Sequence, residues 1–190
     1  MHNVILKKYY FINKFNINNI DKLEKNTIII YRNYRKKKVT SDIIKLKKYC
    51  KIKGIKLYIS NNIKLAMKMD VAGAYIPSFN KDFRHLSFKF KKNFKIIGSA
   101  HNIKEINIKK KQGCSLIFLS RLFKTHYKNK KSYLGIVRFN LLTRFINISL
   151  SPLGGINLNN LNKLRNVNCE NLGLSSVIIN RLVEIQKKLK

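Results

Sequence analysis

Eight short apolar runs recur along the chain with helix-like stretches between most of them, and this alternation constrains the fold more than any other feature. The runs cover 8–12, 27–31, 56–59, 74–76, 95–98, 116–119, 146–150 and 171–174. Each is short and rich in β-branched or aromatic residues, the pattern of a parallel strand covered on both faces. Between them, 42–53, 63–69, 82–92, 103–112, 158–165 and 176–189 carry apolar residues at helical spacing, as Ile43, Leu46, Tyr49 and Cys50 do in the first. A weaker helical pattern covers 138–145. Ser41, Asn102 and Asn157 stand where N-caps belong, and Gly54 and Gly113 where helices close. Eight β/α units predict a closed (β/α)8 TIM barrel, α/β in class and a compact single domain over 1–190. An open doubly wound sheet is the alternative, but no GxGxxG follows the first strand.

Composition narrows the classes of function. Hydrophobic residues at 45% and aromatics at 11% suit a folded chain. No apolar run reaches the roughly 18 residues that span a bilayer. Tyr9, Tyr10 and Asn13 interrupt any secretory core at the N-terminus, and no small-residue cleavage site follows. The expectation is a first strand in a cytoplasmic protein without a membrane partner. Forty-one Lys and Arg against eight Asp and Glu give a net charge of +33. Clustered cations bind nucleic-acid backbones. Here they are spread along the chain, with only short clusters at Arg35-Lys36-Lys37-Lys38 and Lys109-Lys110-Lys111, and Asn and Ile are abundant beside Lys. Compositional drift therefore accounts for the charge, and a basic nucleic-acid-binding protein is the alternative from another class. The positive field still favours phosphorylated small molecules. Cys50, Cys114 and Cys169 show no CxxC or Cys/His ligand spacing, so buried, reduced thiols are expected.

Two segments carry chemistry. In Ser149-Leu150-Ser151-Pro152-Leu153-Gly154-Gly155-Ile156-Asn157 a strand runs into paired glycines and then a capped helix. Residues without side chains at such a turn let backbone N–H groups close on an anion. The connection 123–144 is long and polar, holding Lys124, Thr125, His126, Lys128, Lys130 and Lys131. Long loops at the C-terminal ends of barrel strands are where this architecture keeps function.

Ordered motifs add a family resemblance over nearly the whole chain. They are Ile28-Ile29-Ile30-Tyr31-Arg32; Tyr58-Ile59-Ser60-Asn61-Asn62; Gly73-Ala74-Tyr75-Ile76; Ile96-Ile97-Gly98-Ser99-Ala100-His101-Asn102 with Glu105; Leu119-Ser120-Arg121-Leu122-Phe123-Lys124-Thr125; Leu153-Gly154-Gly155-Ile156; and Leu172-Gly173-Leu174-Ser175-Ser176. Together they resemble the thiamine phosphate synthase and thiazole tautomerase superfamily. The resemblance implies a TIM-barrel transferase of thiamine biosynthesis. It would couple hydroxymethylpyrimidine diphosphate to thiazole phosphate and release pyrophosphate, with Mg2+ on the leaving group.

Position by position, the resemblance implies that Arg32 grips the diphosphate, a role suited to a guanidinium. Tyr34 stands where a lysine is expected, with Arg35 and Lys36 beside it. The two metal aspartates fall at Asn61 and Asn80, whose neutral carboxamides suit Mg2+ poorly. Asp82 is the nearby carboxylate, more in keeping with an N-cap. The resemblance further implies that Ser99 faces the diphosphate, that Thr125 and Lys128 belong to the thiazole-phosphate loop, that Gly154 and Gly155 form its cradle, and that Ser175 or Ser176 completes it. Arg32, Ser99 and Lys128 are the implied catalytic groups. His126 lies in the same loop, while His101 opens a helix in the Ser-Ala-His-Asn segment. Pro77-Ser78 is similar to the tautomerase branch, whose catalytic histidine falls at Arg121, and an arginine shuttles no proton near neutral pH. A barrel that binds phosphate without catalysis is the remaining reading of the same motifs.

Overall fold

The apolar runs pair as parallel strands, each register placing one β-branched or aromatic run against the next. The structure is a computed structural model and describes residues 7–23, 27–34, 40–125 and 132–175. Its strands are β1 (Lys7–Ile12), β2 (Ile28–Tyr31), β3 (Lys56–Ser60), β4 (Gly73–Ile76), β5 (Lys95–Ala100), β6 (Leu116–Ser120), β7 (Ser149–Leu153) and β8 (Asn171–Ser175). They follow the order β7-β6-β5-β4-β3-β2-β1-β8, every pair parallel. The cylinder is completed where β7 meets β8 by side chains. Ser151 Oγ donates to the Asn171 carbonyl at 2.7 Å. Pro152 supplies no N–H in β7.

The period of two along each strand divides the core. Tyr9, Phe11, Ile28, Ile30, Tyr58, Tyr75, Ile97, Leu116 and Phe118 fill the barrel interior. Their neighbours Tyr10, Ile12, Ile29, Tyr31, Leu57 and Ile59 face the helices. Inward rings meet edge to face, with centroids 5.1 Å apart for Tyr9 and Phe118, 5.2 Å for Phe11 and Tyr75, and 5.3 Å for Phe11 and Phe118. That geometry adds about 0.5–1.5 kcal/mol per pair beyond burial. Wide rings let a short chain fill a barrel interior.

The helices are α1 (Ile17–Ile20), α2 (Thr40–Lys53), α3 (Ile63–Lys68), α4 (Ile103–Lys111) and α5 (Gly135–Phe145). Asn102 caps α4 by accepting the Glu105 N–H at 2.9 Å. Gly54 and Gly113 close their helices at φ +66° and +73°. Asn157 and Asn160 form a reciprocal capping box.

Several expectations need correction. The helix read over 82–92 is only a 3₁₀ turn, Arg84–Ser87. The Asp82 carboxylate takes the Arg84 N–H at 2.9 Å and closes a tight turn there, and Phe88-Lys89-Phe90-Lys91 then alternates with the period of extended chain. The stretch 158–165 is also 3₁₀, Leu158–Asn166, with four asparagines that compete for backbone partners. The seventh strand starts later than 146 because Ile146 N–H is still bonded to Leu142 at the end of α5. That helix begins at Gly135, earlier than the weak pattern over 138–145 suggests. Ser41 lies inside α2 and not before it. The one-turn α1 is too short to leave a helical period in the sequence, and Asn16 and Asn62 cap helices in addition to the expected caps. The helix expected over 176–189 lies outside the described residues.

Candidate active site at the C-terminal mouth of the barrel

Parallel strands deliver every residue that follows them to one end of the cylinder. Arg32 leaves β2 with its N–H on the Ile12 carbonyl at 2.7 Å. Its exposed guanidinium lies 5.3 Å from the centroid of the Phe11 ring, at the top of the aromatic interior. Two residues on, Tyr34 shares a 2.9 Å hydrogen bond with Ser60 Oγ and meets Phe79 edge to face at 5.6 Å. Burial pushes the Tyr34 phenol up, while Ser60 and the Arg32 charge pull it down.

Asn61 follows β3 at φ +58°, a left-handed conformation that asparagine tolerates. Its N–H donates to the Tyr75 carbonyl at 2.8 Å, and its Oδ1 accepts Asn80 Nδ2 at 2.7 Å. The two positions that the resemblance pairs across strands three and four are thus in contact. Ser99 is on β5, buried, and accepts the Tyr75 hydroxyl at 2.7 Å. Burial drives the Tyr75 phenol well above its ordinary range, and Arg32 works against that shift. Ser99 therefore belongs to the layer beneath Arg32, bonded to Tyr75.

A buried polar cluster holds the loop that carries Asn80. Lys109, fully buried on α4, donates from Nζ to the Asn80 carbonyl at 2.6 Å and to Gln112 Oε1 at 2.8 Å. Gln112 Nε2 reaches the Asp82 carbonyl at 2.9 Å, and buried His85 lies 2.8 Å from the Gln112 carbonyl. Burial lowers the Lys109 ammonium from its ordinary value. Lys109 is thus no part of a solvated basic cluster. The signal was its place three residues after buried Ile106, on the inner face of α4.

On the other side, Arg121 follows β6 and donates to Thr125 Oγ1 at 3.0 Å and to the Ser132 carbonyl at 2.6 Å. It ties together the two ends of the segment 126–131. Lys128 and His126 fall in that segment and, like Ser176, Arg35 and Lys36, lie outside the described residues. Gly154 and Gly155 follow β7 at φ +87° and +75°. A Cβ on Gly154 would lie 2.9 Å from Ser120 Oγ, and one on Gly155 would overlap the Phe123 carbonyl and lie 2.8 Å from the Lys124 oxygen. The glycines therefore seat the sixth-strand loop directly against the seventh, a packing role the motif did not disclose. Ser175 ends β8, exposed. Exposed His101 gives Nδ1–H to the Ser120 carbonyl at 2.7 Å, because a carbonyl can only accept.

The donors at Asn61 and Asn80 do not fit Mg2+. Asp82 N–H occupies Asn80 Oδ1 at 2.8 Å, and Asn80 in turn occupies Asn61 Oδ1. A hard cation wants carboxylate and water oxygens in octahedral array. Asp82, the nearest replacement, is held by the Arg84 guanidinium at 2.5 Å. Among the described residues no three His, Cys, Asp or Glu gather as a ligand set.

A family model described as thiamine monophosphate synthase matches residues 19–178, most of the chain and nearly every residue above. The chain belongs to this family. A thiamine-phosphate synthase of Prochlorococcus marinus subsp. pastoris is 29% identical over 140 residues, 73% of this chain and 40% of that protein. The chain thus spans about two fifths of the length of this relative. One from Clostridium perfringens is 25% identical over 190 residues, covering 95% and 92%. A solved thiamine phosphate pyrophosphorylase of Pyrococcus furiosus superposes with a TM-score of 0.76 at 14% identity, over 98% of this chain and 96% of that one. The last likeness confirms the barrel. No helix among the described residues is long and apolar enough to cross a membrane.

Proposed function

We propose that this chain is a thiamine phosphate synthase-type transferase, joining hydroxymethylpyrimidine diphosphate to thiazole phosphate. The observation that carries the reading is the family match over 19–178. The mouth supports it, with the exposed Arg32 guanidinium on one side and the Gly154-Gly155 turn on the other. In the reaction the C–O bond between the pyrimidine methylene and the diphosphate breaks, and pyrophosphate leaves with the electron pair. The thiazole nitrogen lone pair then forms the new C–N bond. Arg32 offsets the charge that gathers on the leaving oxygens. In this reading Thr125, Gly154, Gly155 and Ser175 receive the thiazole phosphate, a role carried by the family resemblance, and Ser99 braces the interior through its bond to Tyr75. The substrates are phosphorylated small molecules, and the compartment is the cytoplasm.

Arg121 argues against the tautomerase reading, since its guanidinium is bonded to Thr125 and Ser132. Incubating the chain with both substrates and measuring thiamine phosphate and pyrophosphate by mass spectrometry tests the proposal. Thiazole phosphate binding without product would sink it, leaving a phosphate-binding barrel without catalysis. Binding of neither substrate, with steeply salt-dependent retention on heparin, would favour the nucleic-acid alternative.

A further inference from the structure

The Asn61–Asn80 contact is one step of a directed hydrogen-bond chain. Asp82 N–H donates to Asn80 Oδ1 at 2.8 Å, which identifies the oxygen end of that amide. Asn80 Nδ2 must then be the donor to Asn61 Oδ1 at 2.7 Å. Asn61 Oδ1 is occupied, and its Nδ2, with no hydrogen-bond partner among the described residues, ends the chain as a donor. Asn61 is exposed at the mouth that also carries Arg32. A chain of amides ending in N–H presents partial positive charge, which suits an anionic oxygen and opposes a cation.

Two further observations agree. Lys109, fully buried, donates to the main-chain carbonyl of Asn80 at 2.6 Å and so lies directly behind the amide pair. The described carboxylates are committed elsewhere. Asp21 takes Tyr49 and Lys53, Asp42 takes the Tyr31 hydroxyl, Asp70 takes Lys91, Asp82 takes Arg84 and Glu105 takes the His101 N–H. Glu170 precedes β8, at the opposite end of the barrel from the mouth.

We propose that this mouth binds a diphosphate without a divalent cation, the Asn61 amide and Arg32 contacting the anion directly where a metal would otherwise bridge it. The proposal rests on the functional reading above, in which a diphosphate is the ligand. Formal charge is consistent with it, because two carboxylates with one divalent cation and two carboxamides alone both sum to zero.

Calorimetric titration of inorganic pyrophosphate into the full chain, in EDTA and in excess Mg2+, tests this directly. Mg2+ complexes free pyrophosphate, so a site that takes the bare diphosphate should bind at least as tightly in EDTA as in excess Mg2+. Asn61→Leu should weaken binding by about tenfold in both buffers. Manganese titrated in parallel, read by its electron-spin signal, should stay free with the wild-type chain. It should become bound in the Asn61→Asp, Asn80→Asp double variant, whose folding circular dichroism verifies. Wild-type binding weakened more than threefold by EDTA overturns the inference and leaves the functional reading standing. Unchanged binding by Asn61→Leu also overturns it, since the heat then comes from general attraction to a +33 chain. Absence of pyrophosphate binding in either buffer overturns the functional reading and the inference together.

Discussion

Gly155→Ala should be among the most damaging single-methyl changes in this protein. Gly155 sits at φ +75°, and its Cβ would overlap the Phe123 carbonyl and lie 2.8 Å from the Lys124 oxygen. An L-residue in that region costs about 1 kcal/mol relative to glycine. The overlap is with backbone, so the 121–124 segment must move, at a cost comparable to overpacking, about 1–3 kcal/mol. That movement endangers the Phe123 N–H bond to the Gly154 carbonyl at 3.1 Å, worth about 1 kcal/mol. The total is about 3–5 kcal/mol. Gly54 provides the control, since it has φ +66° with nothing within 4 Å of its would-be Cβ. Gly54→Ala carries only the conformational cost of about 1 kcal/mol, partly offset by lost freedom of the unfolded chain. For a chain of this length Tm should fall about 10 °C for Gly155→Ala and about 2 °C for Gly54→Ala. Urea unfolding followed by circular dichroism measures both. Losses within about 1 kcal/mol of one another would refute the reading of Gly155 as a seat for the sixth-strand loop.

Arg32→Ala should weaken pyrophosphate binding about tenfold and leave thiazole phosphate binding unchanged; calorimetry with each ligand checks this, and equal losses for both would contradict a divided mouth. Asp82 is held at about 2, below its ordinary 3.8, first by the Arg84 side chain and then by the Arg84 N–H. A depressed carboxyl stabilises above its unfolded value and loses that contribution as pH falls through its folded one. The turn at 82–87 should therefore loosen only between about pH 4 and 2. A carboxyl carbon titration with its midpoint near 3.8 would show that the pair does not form. Burial pushes the Cys50 and Cys114 thiols up to about 12 and Cys169 to about 11. A disulfide reagent at pH 8 should label neither Cys50 nor Cys114 until denaturant is added, and fast labelling of Cys114 in the native protein would refute its burial.

The barrel and the order of its strands were legible in the sequence because buried parallel strands and amphipathic helices leave local periodic marks. Asn102, Asn157, Gly54 and Gly113 were readable for the same reason, since caps act within a few residues. Over 82–92 the helical spacing loses to the local Asp82–Arg84 turn and to bonds with remote partners. His85 reaches the Gln112 carbonyl, and Gln112 reaches that of Asp82, twenty-seven and thirty residues away. No local pattern encodes such bonds.

The candidate site divides along the same line. Residue identities alone showed that two expected carboxylates are amides and that glycines follow the seventh strand. Only the tertiary structure decided that Asn61 and Asn80 bond one another, that Lys109 lies buried behind them, and that Gly155 packs against Phe123. Those outcomes depend on which strand ends the closed barrel brings within hydrogen-bonding distance. Hydrogen bonds and steric overlap act over a few ångströms, and chain separation along the sequence carries no record of them.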